Sequence, residues 1–230
     1  MRKRKNGCAA GVLSLILIAL IAAFAAYSFT GAEQNIATTA NNAAKTKDAL
    51  ILVNKNNKLP DDFKANLTAV DGVKIDKALL NDLTEMRKAA ERDNIYLYIA
   101  AAYRTKAQQE QIFNDAVSKY VKQGNSRNVA VNRANQTAAL PGYSEHETGL
   151  AIDFSLNDTE RQSEMWDWLS KNAYKYGFIL RYPQGREHIT GYDYEPWHYR
   201  YVGKNHAKVI YEQALVLEEY LNSDFLLHMP

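Results

Sequence analysis

The stretch SEHETGLAIDF, Ser144 to Phe154, holds the residues on which the reading of this chain turns. Its second half, LAIDF from Leu150 to Phe154, has the apolar alternation of a strand, interrupted by a single carboxylate, Asp153. A carboxylate buried in a strand is costly unless it is paired or bound to a metal. His146 stands seven residues before it, with Ser144 and Gly149 on either side of that histidine. A second segment, EPWHYRYVG from Glu195 to Gly203, adds Glu195, Trp197, His198 and Arg200, and predicts a strand over Trp197 to Val202.

Together the two segments offer two imidazoles and one carboxylate, the ligand types that zinc accepts. Three protein ligands leave one position for water, the arrangement of catalytic rather than structural zinc. Glu195, three residues before His198, is close enough to set a second carboxylate beside the same metal without binding it. Spacing alone leaves the alternative open that each histidine is a hydrogen-bonded polar group. The HEXXH zinc peptidases are excluded, because position 150 is leucine. Serine chemistry of the penicillin-binding kind is disfavoured, since no serine is followed by lysine three positions later.

Around these segments the chain reads as one domain from Ala49 to Pro230. ALILV (Ala49 to Val53) predicts a short strand, ended by the turn-rich NKNNKLPDD. Asp76 is a plausible N-cap for a helix with Ala78, Leu79, Leu83, Met86, Ala89 and Ala90 at helical spacing. IYLYIAAAY (Ile95 to Tyr103) predicts a central strand, and Thr105 can cap a helix whose stripe is Ile112, Phe113, Ala116, Val117 and Tyr120. Further helices are predicted around Val129 to Ala139, around Glu160 to Tyr176, and from about Asn205 to Tyr220. Irregular mixing of strands and helices predicts an α+β fold with a largely antiparallel central sheet flanked by helices.

Of 230 residues, 47% are apolar and 23% charged, which excludes wholesale disorder and collagen-like repeats. The formal charge is +2, but Arg2, Lys3, Arg4 and Lys5 are clustered with no acid nearby, leaving the rest slightly acidic. A nucleic-acid partner is therefore not expected. The single cysteine, Cys8, excludes an internal disulfide and a cysteine-based zinc site. Residues Cys8 to Phe29 carry no charge, long enough to cross a bilayer core of about 30 Å as a helix. The basic cluster before them stays cytoplasmic by the positive-inside rule, so the rest of the chain lies outside. The run exceeds a usual signal core and predicts an uncleaved transmembrane anchor; a cleaved signal ending near Ala23-Phe24-Ala25 is the alternative. Thr30 to Asp48, rich in Ala, Thr and Asn, reads as a flexible tether.

The pattern Ser144-X-His146-X-X-Gly149-X-Ala151-X-Asp153, followed by Glu195-X-Trp197-His198, resembles the paired signature of VanY-like zinc carboxypeptidases. These are related to D-Ala-D-Ala dipeptidases and hedgehog-like zinc domains. The similarity runs over most of residues 49–230, including LVNKNNKLP, AYRTKAQQ (Ala102 to Gln109) and YRYVG; Thr105 stands where relatives often have serine. The resemblance implies that His146, Asp153 and His198 bind Zn2+, and that Glu195 is the general base. Arg104 would stabilise the oxyanion or grip substrate. Ser144 and Gln109 would hydrogen-bond the terminal carboxylate or the adjacent peptide group, Trp197 would wall the site, and Gly149 would allow tight packing beside the metal. It further implies a carboxypeptidase removing D-alanine from peptidoglycan stem peptides, tethered outside a bacterial cell membrane. A zinc endopeptidase and a non-catalytic wall-binding module are the rival readings. His188 is expected in a loop, while His206 and His228 are expected to be structural or exposed.

Overall fold

The computed structural model describes residues 49–155 and 161–223. The expected membrane segment, the tether and His228 lie outside these residues. No helix among the described residues is long and apolar enough to cross a membrane.

The first elements are a hairpin that the sequence reading did not name. β1 (Leu67–Val70) pairs antiparallel with β2 (Val73–Asp76) through Asp71-Gly72. Both turn residues have positive φ, 49° and 80°, the twist that a two-residue hairpin turn needs. Asp76 then accepts a hydrogen bond from the Ala78 amide, starting a short 3-10 turn that leads into α1 (Leu80–Arg92). The chain continues as β3 (Tyr98–Ala101), α2 (Lys106–Lys122) and α3 (Arg127–Thr137). Thr105 caps α2 with Gln108 in a reciprocal capping box. β4 (Ala151–Ser155), α4 (Gln162–Asn172), β5 (Phe178–Leu180) and the short α5 (Glu187–Thr190) follow. β6 (His198–Tyr201), α6 (Lys204–Glu212) and α7 (Leu217–Leu221) complete the described part.

Four strands form one sheet in the order β3-β4-β6-β5, with every neighbouring pair antiparallel. The α+β architecture is as expected. One face of the sheet carries Ile152 and Phe154 from β4 and Tyr199 and Tyr201 from β6. They pack with Leu83 and Met86 of α1 and with Met165 and Leu169 of α4. Each large apolar side chain buried there contributes roughly 1.5–3 kcal/mol. Because side chains alternate along a strand, Asp153, His198 and Arg200 are turned to the opposite face. That face is where the chemistry gathers.

Three expectations need correction. Residues 51–53 are not a strand; the carbonyls of Ala49 and Ile51 are taken by the guanidinium of Arg200 instead of a ladder. β3 is an edge strand, not a central one, so Tyr98 stays exposed. The final helix is two: Ala214 has φ 50°, which ends α6 before α7 begins. Apolar spacing continues across that break, which is why periodicity alone reads one helix.

Candidate active site

Asp153 and His198 are opposed residues in the β4–β6 ladder, so backbone pairing alone sets them side by side. His146 comes from a 3-10 turn, Glu145–Thr148, immediately before β4. That turn ends at Gly149, whose φ of 77° suits glycine. A Cβ there would lie 3.0 Å from the backbone nitrogen of Asp76, so the turn is pressed against the end of β2. The Asp76 amide also donates to the Gly149 carbonyl at 2.9 Å.

One ligand-type atom from each of His146, Asp153 and His198 lies within 4.8 Å of the others. His146 Nδ1 is 2.7 Å from the Ala102 carbonyl, which only a protonated nitrogen can satisfy. Nε2 is then the unprotonated nitrogen of a neutral ring, 3.3 Å from Asp153 Oδ2. His198 presents Nδ1 to Asp153 Oδ1 at 3.0 Å. A buried carboxylate whose two oxygens each face an imidazole is a donor set that fits zinc.

The charges follow from this crowding. Burial alone would raise Asp153, but His146 and His198 hold it well below the usual carboxylate range. Burial opposes a charge on His198, yet Asp153 and Glu145 outweigh it and raise its pKa to about 9. Burial lowers His146, outweighing the opposing pull of Asp153. Glu195 Oε2 lies 3.6 Å from His198 Nδ1, and burial pushes its carboxyl up to about 7. A carboxylate with that affinity for protons suits a general base at neutral pH.

A cavity of about 210 Å³ brings together all eight residues singled out in the sequence: Arg104, Gln109, Ser144, His146, Asp153, Glu195, Trp197 and His198. Arg104 Nη2 pairs with Asp153 Oδ2 at 2.9 Å, so the guanidinium is an active-site group rather than a surface one. Gln109 is only 1% exposed, which removes the alternative of a solvated helix face. Its Nε2 donates to the Ala139 carbonyl at 2.8 Å, and its buried Oε1 has no partner. Gln109 therefore offers an unpartnered acceptor, which suits a peptide N–H, beside an amide nitrogen that still holds a second hydrogen. Ser144 is buried at the cavity wall, while Trp197 forms a lip, 38% exposed.

A larger cavity of about 330 Å³ is lined by Tyr199, Phe178, Ile210 and Leu215 among others, with no histidine or acid. Tyr199 is next to His198 and points to the other side of β6, so this cavity is separate from the chemistry. His188 is in α5 and does not line the active cavity. His206 is buried with Nδ1 2.7 Å from the Tyr220 hydroxyl, a structural role.

Sequence reasoning missed Tyr182 and Tyr192, which wall the cavity, and Glu145, whose carboxylate is buried behind His198. Tyr182 lies against the His198 ring, centroids 4.9 Å apart, and Tyr192 against Tyr182 at 4.7 Å. The tyrosines sit in a polar loop with no spacing to mark them. Glu145 had one signal, an acid between two motif positions, without its partners in view.

Comparison with known proteins points to one family. The family described as VanY, D-alanyl-D-alanine carboxypeptidase, matches residues 72–204. A D-alanyl-D-alanine carboxypeptidase of Enterococcus faecalis (strain ATCC 700802 / V583) is 38% identical over 194 residues, covering 84% of this chain and 72% of that protein. A similar solved structure is a glutamate-to-alanine mutant of the vancomycin-resistance D,D-pentapeptidase VanY from a VanB-type cassette, in complex with Zn(II). It has a TM-score of 0.74 and 40% identity over 76% of this chain and 99% of that one. The LD-carboxypeptidase LdcB is also similar, with a TM-score of 0.65 and 37% identity over 77% of this chain and 87% of that one.

Proposed function

The chain belongs to the VanY family of D-alanyl-D-alanine carboxypeptidases, and we infer that it removes the terminal D-amino acid, D-alanine, from peptidoglycan stem peptides by zinc-dependent hydrolysis. The observation that carries this reading is Glu195, a buried carboxylate 3.6 Å from His198, in one cavity with the His146–Asp153–His198 cluster.

In this reading His146 through Nε2, Asp153, and His198 through Nδ1 would hold the zinc. Zinc supplies Lewis acidity, making water acidic enough to act as a nucleophile near neutral pH. Glu195 takes the proton of the attacking water and returns it to the leaving amine. Arg104 is already fixed by Asp153, and its remaining N–H groups stabilise the carbonyl oxygen as negative charge develops. Gln109 Oε1 accepts a substrate N–H, and the Ser144 hydroxyl donates to the terminal carboxylate. Trp197 and Tyr182, both lining the cavity, limit the access of water. A non-catalytic zinc module would need neither a free base nor an oxyanion partner, so Glu195 and Arg104 favour catalysis.

The N-terminal run Cys8 to Phe29 supports a single-pass anchor in the bacterial cell membrane, with residues 49–230 on the outer side. Cell fractionation with protease shaving tests it: a catalytic domain released into the medium would favour cleavage.

The test of the reaction compares a stem peptide ending in free D-alanine with its C-terminal amide. A carboxypeptidase loses at least ~10-fold in kcat/KM on the amide, since a buried group left without its partner costs about 1–3 kcal/mol. Equal rates would reject this reading and favour an endopeptidase. The same assay on pentapeptide and tetrapeptide substrates separates a D,D from an L,D preference.

A further inference from the structure

The second ring nitrogen of His198 faces Glu145, the head of a chain of buried charges that the proposed reaction does not use. His198 Nε2 faces Glu145 Oε2 at 3.6 Å, and neither atom has any hydrogen-bond partner although both are buried. The other oxygen of Glu145 is doubly held. Arg181 Nε donates to Oε1 at 2.8 Å and Arg200 Nη1 donates to the same oxygen at 2.9 Å. The side chains of Glu145, Arg181 and Arg200 are all fully buried.

The chain is anchored at both ends. Arg181 also forks onto Glu218 of α7, at 2.8 and 2.6 Å, and Asn54 Nδ2 donates to Glu218 at 3.0 Å. Arg200 Nη2 closes its side on the Ala49 and Ile51 carbonyls, at 3.0 and 2.8 Å. Glu145 thus cannot drift without breaking several charge-assisted bonds.

A carboxylate present only to neutralise two guanidiniums would spread them over both of its oxygens. Here both arginines crowd onto Oε1, and Oε2 is left to the imidazole. An ionised carboxylate can only accept, so what Oε2 lacks is a hydrogen, and His198 Nε2 is the group aimed at it. A contraction of about 0.6 Å brings the pair to ordinary hydrogen-bond length. A neutral ring protonated at Nε2 keeps its lone pair on Nδ1, the nitrogen beside Asp153.

We propose that Glu145 is a positioning residue: it accepts the Nε2–H of His198, and so fixes the tautomer and ring orientation that turn Nδ1 to the metal. The proposal rests on the zinc reading above. It gives the two histidines unlike anchors, a neutral carbonyl (Ala102) behind His146 and an anion behind His198. An anionic partner makes the imidazole a stronger ligand, the role that outer carboxylates serve in zinc sites.

The test measures zinc affinity of the full-length chain by competition with a chromogenic chelator, alongside its circular dichroism. Glu145→Gln should bind zinc ~10–100-fold more weakly while remaining folded. Glu218→Gln, which removes the charge of the other partner of Arg181 without touching His198, should change affinity by less than about threefold. A folded Glu145→Gln with wild-type affinity, or equal losses in both variants, overturns the proposal. Should Glu145→Gln fail to fold, long-range proton–nitrogen NMR of the zinc-loaded wild type decides. A His198 Nε2 proton hydrogen-bonded to the Glu145 carboxylate is expected; an Nε2 proton without that bond, or a ring protonated at Nδ1, overturns it. A wild-type chain that takes up no zinc would instead fail the zinc reading itself.

Discussion

Asp153 and His198 are direct cross-strand partners in β4 and β6, with His198 Nδ1 3.0 Å from Asp153 Oδ1. Two of the three proposed ligands are therefore positioned by sheet register rather than by loops, which pre-organises them. Replacing His146, Asp153 or His198 by alanine should leave two ligands and lose most bound zinc and nearly all activity. Metal analysis of the purified variants checks this; stoichiometric zinc in His198→Ala would remove it from the ligand set.

The orientation of Gln109 gives a sharper prediction than its identity does. With one Nε2 hydrogen donated to Ala139 and Oε1 buried without a partner, Oε1 is the atom that most needs a substrate N–H. Gln109→Met fills similar space without the acceptor and should lower kcat/KM by ~10-fold or more. The preference for free acid over amide should persist in this variant, whereas Ser144→Ala should narrow it. A collapse of the acid preference in Gln109→Met would show that this side chain contacts the carboxylate after all.

Most of the site was legible in the sequence because its chemistry is concentrated in short segments. Ser144, His146, Asp153, Glu195, Trp197 and His198 lie in two motifs, and Arg104 and Gln109 in a third. All eight line one cavity. What local pattern does not carry is partnership over distance. Glu145 depends on Arg181, Arg200 and Glu218, 36 to 73 positions away, and no periodicity reports such a pairing. ALILV has every local mark of a strand, yet Arg200 takes the carbonyls that a ladder would use. The Asp71-Gly72 hairpin did carry a legible turn signal, with β-branched Thr68, Val70, Val73 and Ile75 around it.

Gly149 couples the metal turn to the rest of the fold. Gly149→Ala must place a Cβ 3.0 Å from both the Asp76 nitrogen and Leu67 Cδ2, at a φ of 77°. Destabilisation of about 1–3 kcal/mol follows from the backbone conformation alone, before the clash is added. Urea unfolding of wild type and variant measures it; an unchanged midpoint would mean that the turn relaxes freely.

The pH dependence should carry the signature of Glu195. Burial raises its pKa to about 7, and the base must be ionised to accept a proton. Activity should therefore fall as pH drops below about 7, approaching tenfold per unit, in a range where an ordinary glutamate would still be charged. The profile of kcat/KM from pH 5 to 8, with zinc content followed at each point, is the measurement. A flat profile down to pH 5 with zinc retained would exclude a raised base.

The most direct test of the account is D-alanine release from a stem pentapeptide by zinc-loaded Glu195→Gln. The variant keeps the shape of the side chain and all three ligands but cannot take the proton. The account predicts a full complement of zinc with turnover reduced at least ~10²-fold. Wild-type turnover by a folded, zinc-loaded Glu195→Gln chain would contradict it.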